Sequence, residues 1–293
     1  MSTSSASASM EKPSHLQPPA TETDELVAAL ETPHHIQKIV SEAIILGGGA
    51  AAILYQIAHP AVAKGVHHHS SFAVRPVDRL RTTMTYVYSM LFGTAAEKQK
   101  IIELVHRAHA PVKGPDYDAD EPAAQLWVAA TLYAVGIDLY EQIFGVMDED
   151  QAEAVYREYV VLGASLRVPM EMWPQTREEF WTYWDEQVAS FQICEEAKAV
   201  ARDLLYNPKL PFYFKAMMPT MRLVTAEMLA PKLREVYGLK SSRGRRRLYR
   251  SYLAVTKATY PFLPKVLRTY PVRYYMKDMR KRMAKYGEGQ RKI

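Results

Sequence analysis

Residues 36–58 constrain this chain more than any other stretch. Ile39, Ile44, Ile45, Leu46, Ile53, Leu54 and Ile57 recur nearly all the way round a helical wheel. A helix apolar on every side belongs at the centre of a fold. Gly47, Gly48 and Gly49 lie within it. No Gly-Lys-Ser/Thr follows, so this is not a phosphate loop, and no strand pattern precedes it, so it is not a dinucleotide fingerprint. Glycines in such a place permit close approach of a neighbouring helix or a flat cofactor, or mark a kink; close helix packing is the favoured expectation. The uncharged apolar run 43–58 falls short of the roughly 20 residues that a membrane-spanning helix needs, so a buried core helix is expected.

Helical periods continue through the rest of the chain, and sustained period-2 alternation is absent. The expected fold is all-α: a single helical domain over 23–293, with a short helix at 23–31, preceded by a disordered segment, 1–22. Pro60 should end the central helix at Gln56-x-x-His59, with His67, His68 and His69 in a polar loop beyond it. Further helices are expected at 77–92, with Asp78 as cap, and at 94–109. A turn at 114–118 leads to a helix from Pro122 to Phe144. Asp148 is the expected cap of the next helix, and Thr176-x-x-Glu179 reads as a capping box. Helices at 210–228, with a kink at Pro219, at 230–237 and at 241–258 follow, and Cys194 is expected on the long helix after Trp184.

With 293 residues, 48% hydrophobic, the chain can bury a sizeable core. Its charge of +5 gathers near the end, in Arg243-Gly244-Arg245-Arg246-Arg247 and from Lys277 to Lys285. No nucleic-acid motif accompanies these cations, so no nucleic-acid partner is expected. An anionic membrane surface is the alternative partner, met by a final helix bearing Tyr274, Tyr275, Met279 and Met283. A single cysteine excludes a disulfide within the chain. The first ten residues lack the apolar core of a signal peptide. The expected location is therefore cytoplasmic, with peripheral contact at an intracellular membrane.

Arg79 and Thr83 stand four residues apart, on one face of a helix. His106 and His109 close the next helix. No nucleophile elbow for a Ser-His-Asp hydrolase is visible. The His106–His109 spacing is wrong for His-Glu-x-x-His zinc binding, and Glu103-x-x-His106 supplies only half of a di-iron ligand set. A haem site asks less: one axial histidine, an apolar helical pocket and a few polar groups. On the residues alone, His109 as such a ligand and His109 as a structural side chain both stand.

A series of blocks in order carries a resemblance. It begins with Glu42-x-x-x-x-Gly47-Gly48-Gly49-Ala50, Leu54-x-Gln56-x-Ala58-His59-Pro60, Val62-Ala63-x-Gly65-Val66 and Ser70-x-Phe72. It continues with Arg79-Leu80-x-x-Thr83, Phe92-Gly93, His109-Ala110-x-Val112-x-Gly114, Tyr117-x-Ala119-x-Glu121-Pro122 and Trp127-Val128-x-Ala130-Thr131-Leu132. The chain resembles the MpaB-type oxygenase and rubber oxygenase (latex-clearing protein) catalytic domain, most strongly over 40–190. The resemblance implies a helical domain with a haem b pocket that uses dioxygen on an apolar, isoprenoid or lipid-like substrate, with oxidative cleavage of C=C bonds. It implies His109 as the proximal iron ligand, and Arg79 and Thr83 as the paired residues that support the pocket. Two positions depart from relatives: Ala129 stands where many have histidine, and Thr82 where the latex-clearing branch has lysine. The alternatives are a non-catalytic haem- or lipid-binding helical protein and a helical interaction protein without cofactor.

Overall fold

A computed structural model describes residues 33–69, 76–208, 210 and 212–290. The expected helix at 23–31 and the disordered 1–22 segment lie outside these residues, as does the Ser70-x-Phe72 block. The described residues form fourteen α-helices and one two-stranded antiparallel sheet, so the fold is all-α.

The central apolar stretch is not one helix. It divides into α1 (His34–Val40), a 3-10 segment (Ala43–Gly48) and α2 (Gly49–Gln56), with a bend of 69° between α1 and the remainder. The bend falls at Ser41 and Glu42 rather than at the glycines. Glu42 is extended there because distant groups draw its side chain away. Arg268 donates to Glu42 Oε1 at 3.0 Å, and the Tyr260 hydroxyl donates to Oε2 at 3.1 Å. The same Tyr260 oxygen accepts the Ile44 N–H at 3.1 Å. Of the glycines, Gly48 makes the close approach, against Val135 and Leu139.

The helix passing through the centre is α6 (Pro122–Phe144), which follows α3 (Pro60–His69), α4 (Pro76–Phe92) and α5 (Ala95–His109). Pro122 occupies its first turn, where a missing N–H costs nothing. Its length and composition would suit a membrane span, but 72% of the apolar window is buried inside the fold. It packs against α2 and α7 (Glu149–Ala164), and the Trp127 indole N–H donates to the Tyr55 carbonyl at 2.8 Å. Trp127 also stacks on Trp184 of α8 (Arg177–Ser190) at 5.0 Å and meets Phe191 edge-on at 4.9 Å.

Local signals set most boundaries. Thr94 and Glu97 form a full capping box on α5. Asp148 caps α7 by accepting the Gln151 N–H at 2.8 Å. Thr176 accepts the Glu179 N–H at 3.1 Å, but Glu179 reaches back to the Gln175 N–H rather than to the cap itself. Cys194 is not within a helix; it is the N-cap of α9 (Glu195–Tyr206), which packs on α3. The three histidines expected in a loop form the last turn of α3. They hold a short hairpin, β1 (Lys113–Gly114) and β2 (Tyr117–Asp118), where a simple turn was expected. His69 Nε2 lies 2.9 Å from the Tyr117 hydroxyl, His68 stacks on the Tyr117 ring, and Lys64 pairs with Asp116.

The remaining helices are α10 (Phe212–Met228), with Pro219 inside it, α11 (Pro231–Val236), α12 (Arg243–Thr259), α13 (Lys265–Arg268) and α14 (Tyr270–Gln290). On the last one, only part of the Tyr274, Tyr275, Met279 and Met283 set that a membrane-surface contact would use faces outward: Tyr274 is 50% exposed. Met279 is fully buried, Tyr275 packs against Tyr88, and Met283 is packed against the core. The reason is a set of ties from α14 to α4 and α5. Arg81 pairs with Asp278, Arg282 donates to Thr85 Oγ1 at 2.9 Å, and Arg280 reaches Glu97 at 2.7 Å.

Candidate active site

Arg79 and Thr83 lie one turn apart on α4, as their spacing predicts, and α4 packs against α5, which ends in His109. The opposite face of α4 is held by α14 through Arg81 and Thr85. The face with Arg79 and Thr83 is thereby turned away from that contact. Arg79 is open to water, yet protein encloses it closely enough that desolvation pushes its guanidinium below the ordinary value. Thr83 is half-buried beside it.

His109 is half-buried, and its Nδ1 is buried without a hydrogen-bond partner. Burial pushes its imidazole below the usual histidine value; Asp120 opposes that shift and Arg79 reinforces it. The charges of both residues therefore act on the ring, which brings Arg79 and His109 into one neighbourhood. His106 lies there as well. Burial lowers its titration most, followed by Arg167, while the Ser165 backbone and Asp120 raise it and His109 lowers it. His106 Nε2 and Asp120 Oδ1 are also buried without partners. Three unpaired polar atoms in one neighbourhood are unusual in a folded protein. Each is free to engage a group from outside the chain.

The hairpin follows α5 directly, with the Val112 N–H bonded to the His109 carbonyl at 2.7 Å, and β2 packs on α3. Gly65 makes this possible, since a Cβ there would meet Val112 at 3.3 Å, and a Cβ on Gly114 would run into the Tyr117 ring. Backbone strain lies close by. Arg167 has φ +67°, the only non-glycine with positive φ among the described residues. It follows α7 in a Schellman closure, with Val168 N–H bonded to the Gly163 carbonyl at 3.1 Å and Arg167 N–H to the Ala164 carbonyl at 3.0 Å. Glycine is the usual residue at that position, and an arginine there is the kind of outlier that gathers at functional sites.

Sequence reasoning reached Arg79, Thr83 and His109 but not Asp120 or Arg167 as members of this neighbourhood. Asp120 had a visible signal, standing in the block that opens α6, yet it read only as a helix start. Arg167 had none. Ala129 is fully buried, and Thr82 Oγ1 donates back to the Asp78 carbonyl of its own helix at 2.9 Å. Neither supplies an ionisable side chain.

Among the described residues no group of three or more His, Cys, Asp or Glu is placed to hold a metal ion. A zinc or di-iron centre, which needs such a set, has no ligands here; a haem iron needs one imidazole from the chain. A cleft of about 520 Å³ opens elsewhere, lined by Arg234, Lys240, Ser242 and Arg245 among others. None of the residues around His109 lines it.

Residues 37–258 match the catalytic-domain family of the ER-bound oxygenase mpaB/B′ and rubber oxygenase. The uncharacterized proteins Mb2261 of Mycobacterium bovis and Rv2237 of Mycobacterium tuberculosis are each 31% identical over 248 residues, covering 81% of this chain and 97% of theirs. No solved structure matches the chain.

Proposed function

Because this chain belongs to the catalytic-domain family of mpaB-type and rubber oxygenases, we propose that it is a haem b-dependent oxygenase. Its substrate would be apolar, isoprenoid or lipid-like, and the reaction an oxidative C=C cleavage or a related oxygenation with dioxygen. The observation that carries this reading is His109, held neutral by burial with an unpaired buried nitrogen. A neutral imidazole is the form that ligates iron, and one such ligand suffices for haem. When bound, haem b supplies the dioxygen activation that no amino-acid side chain can.

The chain's own residues do the rest. His109 would hold the haem iron, with the Asp120 carboxylate acting on its ring by charge. Arg79, a cation on the α4 face whose charge also acts on His109, would pair with an anionic group of the haem. Thr83, one turn on, presents a hydroxyl to the same polar side. The packed helices around α6 exclude water from an apolar substrate. The protein acts on a small molecule and dioxygen, in the cytoplasm, with peripheral contact at an intracellular membrane and no nucleic-acid partner.

The test is an ultraviolet–visible spectrum with haem quantitation on the wild type and His109→Ala. A Soret band at near-stoichiometric haem that collapses in the variant supports the reading; a wild type that stays colourless after reconstitution ends it. A second reading, a non-catalytic haem- or lipid-binding protein, draws on Ala129 and Thr82, which lack the ionisable groups of active relatives. Haem uptake without dioxygen consumption on any candidate alkene would select it.

A further inference from the structure

The C-terminal region leaves one apolar surface uncovered, and it is not the face of α14. On α12, Leu248, Ser251, Val255 and Thr259 share one side by helical spacing, and Leu248 and Val255 are 59% and 63% exposed. The connection after α12 adds Phe262, 85% exposed, and α13 adds Val266 and Leu267, also well exposed. Single exposed apolar residues are ordinary, but a run of them along successive elements marks an interaction surface.

Charge says what covers it. Of the exposed α12 cations, Arg247 flanks this side about a quarter turn away, whereas Arg243, Arg250 and Lys257 lie toward the opposite face; Lys265 and Arg273 are exposed beside the α13 residues. Between Ser241 and Lys285 the sole acid is Asp278, and Arg81 and Arg282 already pair with it. Exposed apolar side chains flanked by Arg247, Lys265 and Arg273, with no free carboxylate between Ser241 and Lys285, fit an interface whose interior is hydrocarbon and whose surface is anionic.

We propose that the surface of Phe262 and α13, flanked by α12, docks this protein on an anionic lipid bilayer, with Phe262, Val266 and Leu267 inserted at the headgroup boundary and Arg247 and Lys265 at the phosphates. The proposal rests on the peripheral membrane contact in the function proposed above and assigns its surface. It also places the fold's basic, apolar-rimmed side where a lipid-like substrate is concentrated. Its test needs neither haem nor turnover, so a colourless protein that binds vesicles would end the haem reading and leave the docking surface standing.

The experiment is sedimentation of the full chain with phosphatidylcholine vesicles and with vesicles containing a minority of phosphatidylserine. The wild type is expected to bind the anionic vesicles alone and to be released by salt. Arg247→Gln with Lys265→Gln is expected to weaken binding about thirtyfold, the effect of two charges near such a surface. Phe262→Ser with Leu267→Ser is expected to weaken it about tenfold or more. All four side chains are exposed, and circular dichroism checks that the variants remain folded. A wild type that ignores anionic vesicles, or binding that neither pair of substitutions reduces, overturns the proposal. So does a concentration-dependent dimer, seen by light scattering, that the Phe262/Leu267 variant dissociates while vesicle binding is absent; the surface would then belong to a second copy of this chain.

Discussion

Gly48 lies so close to Val135 that a Cβ on residue 48 would sit 2.9 Å from Val135 Cγ1. That contact lets the 3-10 segment and α2 lie flat on α6. Gly48→Ala should therefore overpack the junction and cost about 1–3 kcal/mol. Gly49, next along, has helical φ and ψ and nothing within 4 Å of its missing Cβ. Gly49→Ala should stabilise by about 0.5–1 kcal/mol, since it removes only unfolded-state freedom. Urea denaturation of the two variants should move the midpoint in opposite directions. Equal destabilisation would mean that the glycine run serves flexibility rather than one contact.

The ion pair between Glu42 and Arg268 joins residues 226 positions apart and is largely out of water, with side-chain exposures of 9% and 17%. Removing one partner of such a pair strands the other charge. Glu42→Ala should cost about 3 kcal/mol or more in chemical denaturation. Glu42→Gln, which keeps an acceptor for the Tyr260 hydroxyl, should cost visibly less. If both variants lose nothing, the C-terminal helices are not anchored through this residue.

The helices were legible wherever their signal is local. Capping residues Thr94, Asp148 and Thr176 and the first-turn Pro122 mark their own boundaries, and α14 aside, apolar periods identified the packed faces. What escaped depends on partners far along the chain. Nothing near Glu42 announces the bend, because Tyr260 and Arg268 impose it. Met279 and Tyr275 read as an outward apolar face because Arg81, Thr85 and Glu97, which turn α14 over, lie some 180 residues earlier. His67–His69 read as a loop because their partner, Tyr117, comes from a hairpin too short to show a strand period. At the site, Arg79 and His109 were found through motif order rather than physics. Asp120 and Arg167 join them through tertiary packing alone.

Acid should weaken the fold in a window set by the buried histidines. Burial lowers the titration of His59, His106 and His109 below the ordinary histidine value of about 6.5. Above that value both folded and unfolded chains hold these rings neutral, and they contribute no pH dependence. As pH falls through 6.5 the unfolded chain takes up protons that the folded chain refuses, so stability drops until the folded rings titrate. Glu97 and Asp278, held below the carboxylate range chiefly by Arg280 and Arg81, enter further down. Thermal unfolding should be flat near neutrality and should decline from about pH 6.5. Substituting His106 with Gln should make that decline shallower. A melting temperature that rises on mild acidification would contradict the sign.

Arg167 joins strain to charge, and the two can be separated. At φ +67° an arginine bears a cost that glycine does not, about 1 kcal/mol or somewhat more. Its positive charge also lowers the titration of His106. Arg167→Gly should therefore stabilise the protein by about 1 kcal/mol and at the same time raise the His106 titration toward the ordinary histidine value. Arg167→Lys should do neither, because it keeps both the side-chain strain and the charge. Denaturation midpoints read the first effect and an NMR titration of the histidine ring protons reads the second. If Arg167→Gly gains stability but leaves His106 unmoved, the arginine's charge does not reach the site and its strained backbone requires another reason. If both move as expected and haem uptake also falls, the strain is maintained by the need for a cation at this point beside His106 and His109.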